Sequence, residues 1–137
     1  MLSSPVTREL TVQVLAPLDG PSEVSVDLRY DTTDPYAVRA MFRVASDQQI
    51  SWVFARELLA QGMTEASGDG DVRIWPTLAD GREVVRILLR SPDGEALLQT
   101  QSVELLEFLT TSFALCPHGN ESRHLQIDRA LVALFAT

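Results

Sequence analysis

From Glu9 to Val44 apolar and polar residues alternate in three runs, and the connections between the runs are too short for parallel crossovers. Leu10, Val12 and Val14 alternate with Glu9, Thr11 and Gln13. Val24, Val26, Leu28 and Tyr30 alternate with Ser25, Asp27 and Arg29. Val38, Ala40, Phe42 and Val44 stand against Arg39, Met41 and Arg43. Each run reads as a strand with one buried and one wet face. Pro17, Asp19, Gly20 and Pro21 supply one turn, and the stretch from Asp31 to Pro35 supplies the next. Ile50 to Phe54, carrying Trp52, reads as a short fourth strand.

From Ala55 the composition shifts to helix formers. Leu58 and Leu59 form the apolar side of a short helix, Arg56, Glu57 and Gln61 its polar side, and Gly62 its stop. Gly68-Asp69-Gly70 punctuates, and Asp71 to Trp75 reads as a strand ending at Pro76, which cannot donate a ladder hydrogen bond. Arg82 to Arg90 is strongly strand-like through β-branched Val84, Val85 and Ile87. Ser91-Pro92-Asp93-Gly94 makes a tight turn with proline second, and Glu95 to Thr100 completes the hairpin. Ser102 is the expected N-cap of a helix with apolar face Leu105, Leu106, Leu109 and Phe113. A last helix is expected with Asp128 as N-cap, Ile127 and Val132 as a staple, and Leu131, Leu134 and Phe135 as its buried stripe. The expected fold class is α+β, with antiparallel sheets, packed helices and the order ββββ-α-βββ-αα, in one domain over residues 1–137.

At 137 residues the chain is long enough for one substantial core, and its 45% hydrophobic and 22% charged residues are ordinary globular usage. A formal net charge of −8 repels polyphosphate on average, so nucleic-acid binding needs a local basic face. All 11 basic residues are arginine. Arg39 and Arg43 share one strand face, Arg86 and Arg90 another, and with Trp75 they are the candidate residues for a single-stranded nucleic-acid surface. That is the alternative reading. The N-terminus, Met-Leu-Ser-Ser-Pro-Val-Thr-Arg-Glu, lacks a basic start followed by an apolar stretch, and the lone Cys116 cannot form an intrachain disulfide. A cytoplasmic location is expected.

Catalytic and ligand chemistry finds little purchase. Cys116, His118 and His124 are the only clustered soft metal ligands, and a structural zinc site wants a fourth, so no metal is expected. Asp69 and Asp71 lack the later acidic ligands of a calcium loop, and Gly68-Asp69-Gly70 matches neither nucleotide-binding glycine motif, so no cofactor is expected. No Gly-x-Ser-x-Gly occurs, and the only two histidines lie in one late region. Asp31 and Asp34 form a conceivable acid/base pair, but aspartates beside a turn proline ordinarily accept backbone amides.

Four blocks stand out in order: Asp34-Pro35-Tyr36-Ala37-Val38, Trp52-Val53-Phe54-Ala55-Arg56-Glu57-Leu58-Leu59, Gly68-Asp69-Gly70-Asp71-Val72-Arg73-Ile74-Trp75-Pro76, and Ser91-Pro92-Asp93-Gly94-Glu95-Ala96-Leu97-Leu98. Together they resemble the SsgA-like family of actinobacterial sporulation and cell-division proteins. The resemblance spans about Leu28 to Phe113 and continues toward Ile127-Asp128. It departs at Leu115-Cys116-Pro117-His118-Gly119-Asn120, where a Val-Pro-x-Gly-like turn is expected, which bears on the paralogue. The resemblance implies a non-enzymatic developmental protein with a Whirly-like fold that assembles as a homotrimer. It further implies recruitment to sporulation septa, where such proteins act with the tubulin-like division GTPase FtsZ, another SsgA-like protein or wall-synthesis proteins.

Overall fold

The computed structural model describes residues 5–125, in which seven strands form one antiparallel sheet. The elements run β1 (Val6–Ala16), β2 (Glu23–Tyr30), β3 (Ala37–Ala45), β4 (Gln48–Ala55), α1 (Arg56–Gly62), β5 (Val72–Ala79), β6 (Arg82–Ser91), β7 (Gly94–Gln101) and α2 (Ser102–Leu115). Their spatial order is β4-β3-β2-β1-β7-β6-β5. The class is α+β and antiparallel, as the alternation predicts, but the expected sheets are a single sheet. β1 is the reason. Its stretch from Val6 to Gln13 pairs with β2, and its end, from Gln13 to Ala16, pairs with β7 through a register shift between Val14 and Ala16. One long strand thereby stitches an N-terminal four-strand meander to a C-terminal hairpin system.

Alternation sets the two faces. Leu10, Val12, Val26, Leu28, Val38, Ala40 and Phe42 point to the core, where Ile74, Val85, Ile87 and Leu98 join them from the other side of β1. α2 lies across this face against β1, β6 and β7. α1 touches both β4 and β5, the two outermost strands, so the sheet curls until one short helix spans its edges. Close approach at this point depends on Gly62. A Cβ there would lie 2.2 Å from Ile74 Cγ2.

Three expectations are corrected. The strand expected to stop at Pro76 continues to Ala79, because β5 is an edge and loses no interior ladder bond to proline. Ser102 is the first helical residue and not the cap; Gln101 holds that position and makes no side-chain capping bond. The buried stripe of α2 is Leu105, Phe108, Leu109 and Ser112, spaced i, i+3, i+4, i+7, whereas Leu106 is 51% exposed. Phe113 is partly buried at the margin of the core. The Ser91–Gly94 turn forms as expected, with the Asp93 amide donating to Ser91 Oγ at 3.2 Å. Residues 121–125 make a helical turn, and the expected helix bearing Ile127, Asp128, Leu131, Val132, Leu134 and Phe135 lies outside the described residues.

Candidate interaction surface and the buried Arg56 cluster

Directly opposed residues on adjacent strands project to the same face, so the pairing register fixes what the outer face of the sheet presents. One row runs Trp75, Arg86, Gln99, Gln13, Glu23 across five strands. The next runs Thr11, Ser25, Arg43, Gln49, and a further row Thr7, Arg29, Arg39, Val53. Arg39, Arg43, Trp75, Arg86 and Arg90 therefore share one face, where the sequence suggests two.

Sharing a face does not make them a basic patch. Arg43 is ion-paired with Asp27 and lies 3.7 Å from Glu9. Arg90 meets Glu95 at 2.9 Å. Arg86 Nε donates to Gln99 Oε1 at 3.1 Å, and Gln99 Nε2 donates onward to Gln13 Oε1 at 2.9 Å. Trp75 is half-buried, and β3 and β6 are four strands apart, on the order of 19 Å at about 4.8 Å per step. The nucleic-acid alternative gains no support from this arrangement.

The residues considered for catalysis or metal binding are dispersed or occupied locally. Asp31 Oδ1 accepts from the Thr33 amide at 3.0 Å and from its hydroxyl at 3.1 Å, which is turn chemistry. At Gly68 φ is +84°, and a Cβ would meet the Val72 carbonyl oxygen at 2.2 Å, so the glycine serves chain closure. Ser67 and Ile74 exchange backbone bonds of 2.8 and 2.9 Å across that loop. Cys116 is a buried free thiol, while His118 points outward to Glu57, 3.1 Å away, and His124 sits in the 121–125 turn. Among the described residues no three His, Cys, Asp or Glu side chains converge as a metal site.

The residue that the sequence misplaces is Arg56. Expected on the wet side of α1, it is 1% exposed. Its Nη1 donates to the Ser112 carbonyl at 3.1 Å and its Nη2 to Glu121 Oε2 at 3.1 Å. The guanidinium carbon lies 4.5 Å from the Tyr30 ring centre and 4.0 Å from that of Phe113. Nε has no acceptor among the described residues. Burial pushes the Glu121 carboxyl up, but its own backbone N–H, the Arg56 guanidinium and the Gly119 N–H outweigh this and hold it below the usual carboxylate value. The Gly119 bond is 2.7 Å. Tyr30 donates to the Pro35 carbonyl at 3.0 Å, and burial, then its contact with Cys116, pushes its phenol well above the ordinary range. The Arg56 amide also donates to the Tyr36 carbonyl at 2.7 Å. This cluster ties β2, α1, α2 and the 116–121 loop into one unit. The available signal in the sequence was the position of Arg56 at the end of the Trp-Val-Phe-Ala-Arg block.

Among the described residues the margins of the sheet expose apolar surface. Met63, Pro76, Leu78, Val103 and Leu106 line an open groove of about 730 Å³ beside β5. At the other edge, Ile50 and Val53 are 43% and 53% exposed.

Comparison with known proteins places these features in a lineage. Residues 24–121 match the family described as Streptomyces sporulation and cell division protein, SsgA. The chain is 42% identical over 135 residues to the sporulation-specific cell division protein SsgB of Streptomyces coelicolor, covering 98% of both chains. It is 44% identical to SsgB of Thermobifida fusca, covering 90% of this chain and 89% of that protein. The solved structure of an SsgA-like sporulation-specific cell division protein from Thermobifida fusca superposes with a TM-score of 0.89 at 38% identity, covering 97% of each chain. Another superposes with a TM-score of 0.85 at 43% identity over 90% of this chain and 98% of that one; it was reported with the finding that mutations in SsgB correlate to longitudinal cell division during sporulation of Streptomyces coelicolor. The chain belongs to the SsgA family of sporulation and cell-division proteins.

Proposed function

We propose that this protein, acting as one domain over residues 1–137, supports sporulation septum formation without chemistry of its own, by scaffolding division or wall-synthesis proteins. The observation that carries the reading is exposed apolar surface at both edges of the sheet, Ile50 and Val53 on the two faces of β4 and Leu78 with Val103 and Leu106 beside β5. Apolar patches with polar surroundings are characteristic of contact surfaces. The sporulation cell-division names of its relatives support assigning such contacts to sporulation-specific division. A homotrimer with a Whirly-like architecture, the assembly that the family resemblance implies, would present each patch in several copies and raise weak contacts to useful avidity. FtsZ or another SsgA-like protein is the proposed partner, met at the septum after recruitment from the cytoplasm.

Time-lapse imaging of a fluorescent fusion beside labelled FtsZ during sporulation tests this. Arrival at future septa and an oligomer by light scattering are expected. A strict monomer together with undisturbed septation on deletion overturns the proposal.

A further inference from the structure

The two sheet edges are unequally protected. β5 carries Arg73 and Pro76, and proline has no N–H to offer an incoming strand. β4, with sequence Gln-Gln-Ile-Ser-Trp-Val-Phe-Ala, contains neither a charge nor a proline. It pairs with β3 on one side, and among the described elements α1 is the only other one that packs substantially against it. An eight-residue neutral edge with exposed Ile50 and Val53 lacks two of the devices by which sheets ordinarily repel added strands, charge and proline.

The charge behind this edge says what kind of strand suits it. On the outer face Val53 stands directly opposite Arg39, and Arg39 directly opposite Arg29. Like charges in that relation repel unless an anion answers them. Asp31 lies 3.5 Å from Arg29. Arg39 is exposed, and its guanidinium makes no hydrogen bond or ion pair with a described residue. A recess of about 180 Å³ opens there, lined by Arg29, Arg39, Asp31, Asp34 and Val53 among others.

We propose that the edge of β4, left unpaired by the described strands, is the docking site for an extended acidic segment of a partner protein, which adds as an eighth strand and sets a carboxylate toward Arg39. The inference deepens the scaffolding proposal and rests on it. In an added strand alternate side chains face opposite ways, so the segment that fits has acidic residues on the outer face and apolar residues on the core face beside Ile50 and Trp52. A second copy pairing through β4 would bring no carboxylate and leave Arg39 unanswered. A polyphosphate has no alternating N–H and C=O groups to pair with β4 and no apolar side chains to set beside Ile50 and Trp52.

The test uses blocked peptides Glu-Val-Glu-Val-Glu-Val and Lys-Val-Lys-Val-Lys-Val titrated into the full chain, with amide shifts followed by NMR. The acidic peptide is expected to move amides of Gln48–Ala55 and the basic one to leave them unchanged. Arg39→Gln should weaken binding about tenfold, the size of a modest charge contact. Val53→Glu, which sets a like charge against the acidic segment and answers Arg39 from within the chain, should abolish it; if that variant does not fold, Ser51→Glu, exposed on the same face, replaces it. Shifts confined to β5, equal binding of both peptides, no binding of the acidic peptide at millimolar concentration, or a dimer that Val53→Glu dissolves would each overturn the assignment. If the Val53→Glu fusion still reaches septa, the edge assignment fails while the scaffolding proposal survives. A wild-type fusion that never reaches septa removes the latter.

Discussion

Arg56 donates from Nη2 to Glu121 Oε2 across 3.1 Å, joining residues 65 positions apart in the chain. The pair is shielded, with side-chain exposures of 1% and 10%, and it sits where α1 leaves the sheet and the chain turns after α2. Breaking one member of such a pair leaves a buried charge unmatched, whereas removing both does not.

Glu121→Gln and Arg56→Leu should therefore each destabilise by about 3–5 kcal/mol, and the double variant by clearly less than their sum. Urea unfolding of the four proteins gives the coupling directly. Strict additivity would show that the ion pair contributes nothing beyond packing.

The same cluster predicts a stability profile with two flanks. Glu121 is held below its ordinary value, so its contribution is present above the unfolded pKa of about 4.3 and is lost as pH falls through the lower folded value. Tyr30 is raised, so the folded state keeps its proton after the unfolded chain begins to ionise near pH 10. Stability then falls as pH climbs from about 10. Thermal unfolding from pH 3 to 11 measures both, and Tyr30→Phe should remove the alkaline flank.

Phe108 and Leu106 distinguish the two readings of α2. Phe108→Ala should cost about 3–5 kcal/mol, and Leu106→Ala under about 0.5 kcal/mol. Equal costs would mean that the helix is rotated from the orientation described.

Gly62→Ala places a methyl group 2.2 Å from Ile74 Cγ2, and should destabilise by about 1–3 kcal/mol despite the better helix propensity of alanine. Calorimetry on Gly62→Ala, with Ile74→Val added to open space, should show partial rescue.

These variants also mark where reading the sequence succeeded and where it stopped. The strands were legible because a two-residue period survives wherever one face is buried, as in Val38, Ala40 and Phe42. The stripe of α2 escapes the apolar pattern because its fourth member is Ser112, a polar residue that bonds back to the Leu109 carbonyl at 2.7 Å. Arg56 looks like a surface residue in the sequence because its burial depends on Ser112, Phe113 and Glu121, all supplied from beyond α1. The union of two meanders into one sheet likewise rests on Gln13 meeting Gln99, a pairing without local trace. The five candidate nucleic-acid residues are visible by type, but the carboxylates of Asp27 and Glu95 that pair with Arg43 and Arg90, and the Gln99 amide that accepts from Arg86, meet them only once the strands are in register.

Pro76 interrupts the row of backbone donors along β5, whereas β4 keeps its own intact. Indefinite lateral stacking needs two receptive borders per molecule, one to accept and one to offer. With a single receptive border, a lateral junction terminates after its first addition, so the molecule can recruit by this route without seeding a fibre.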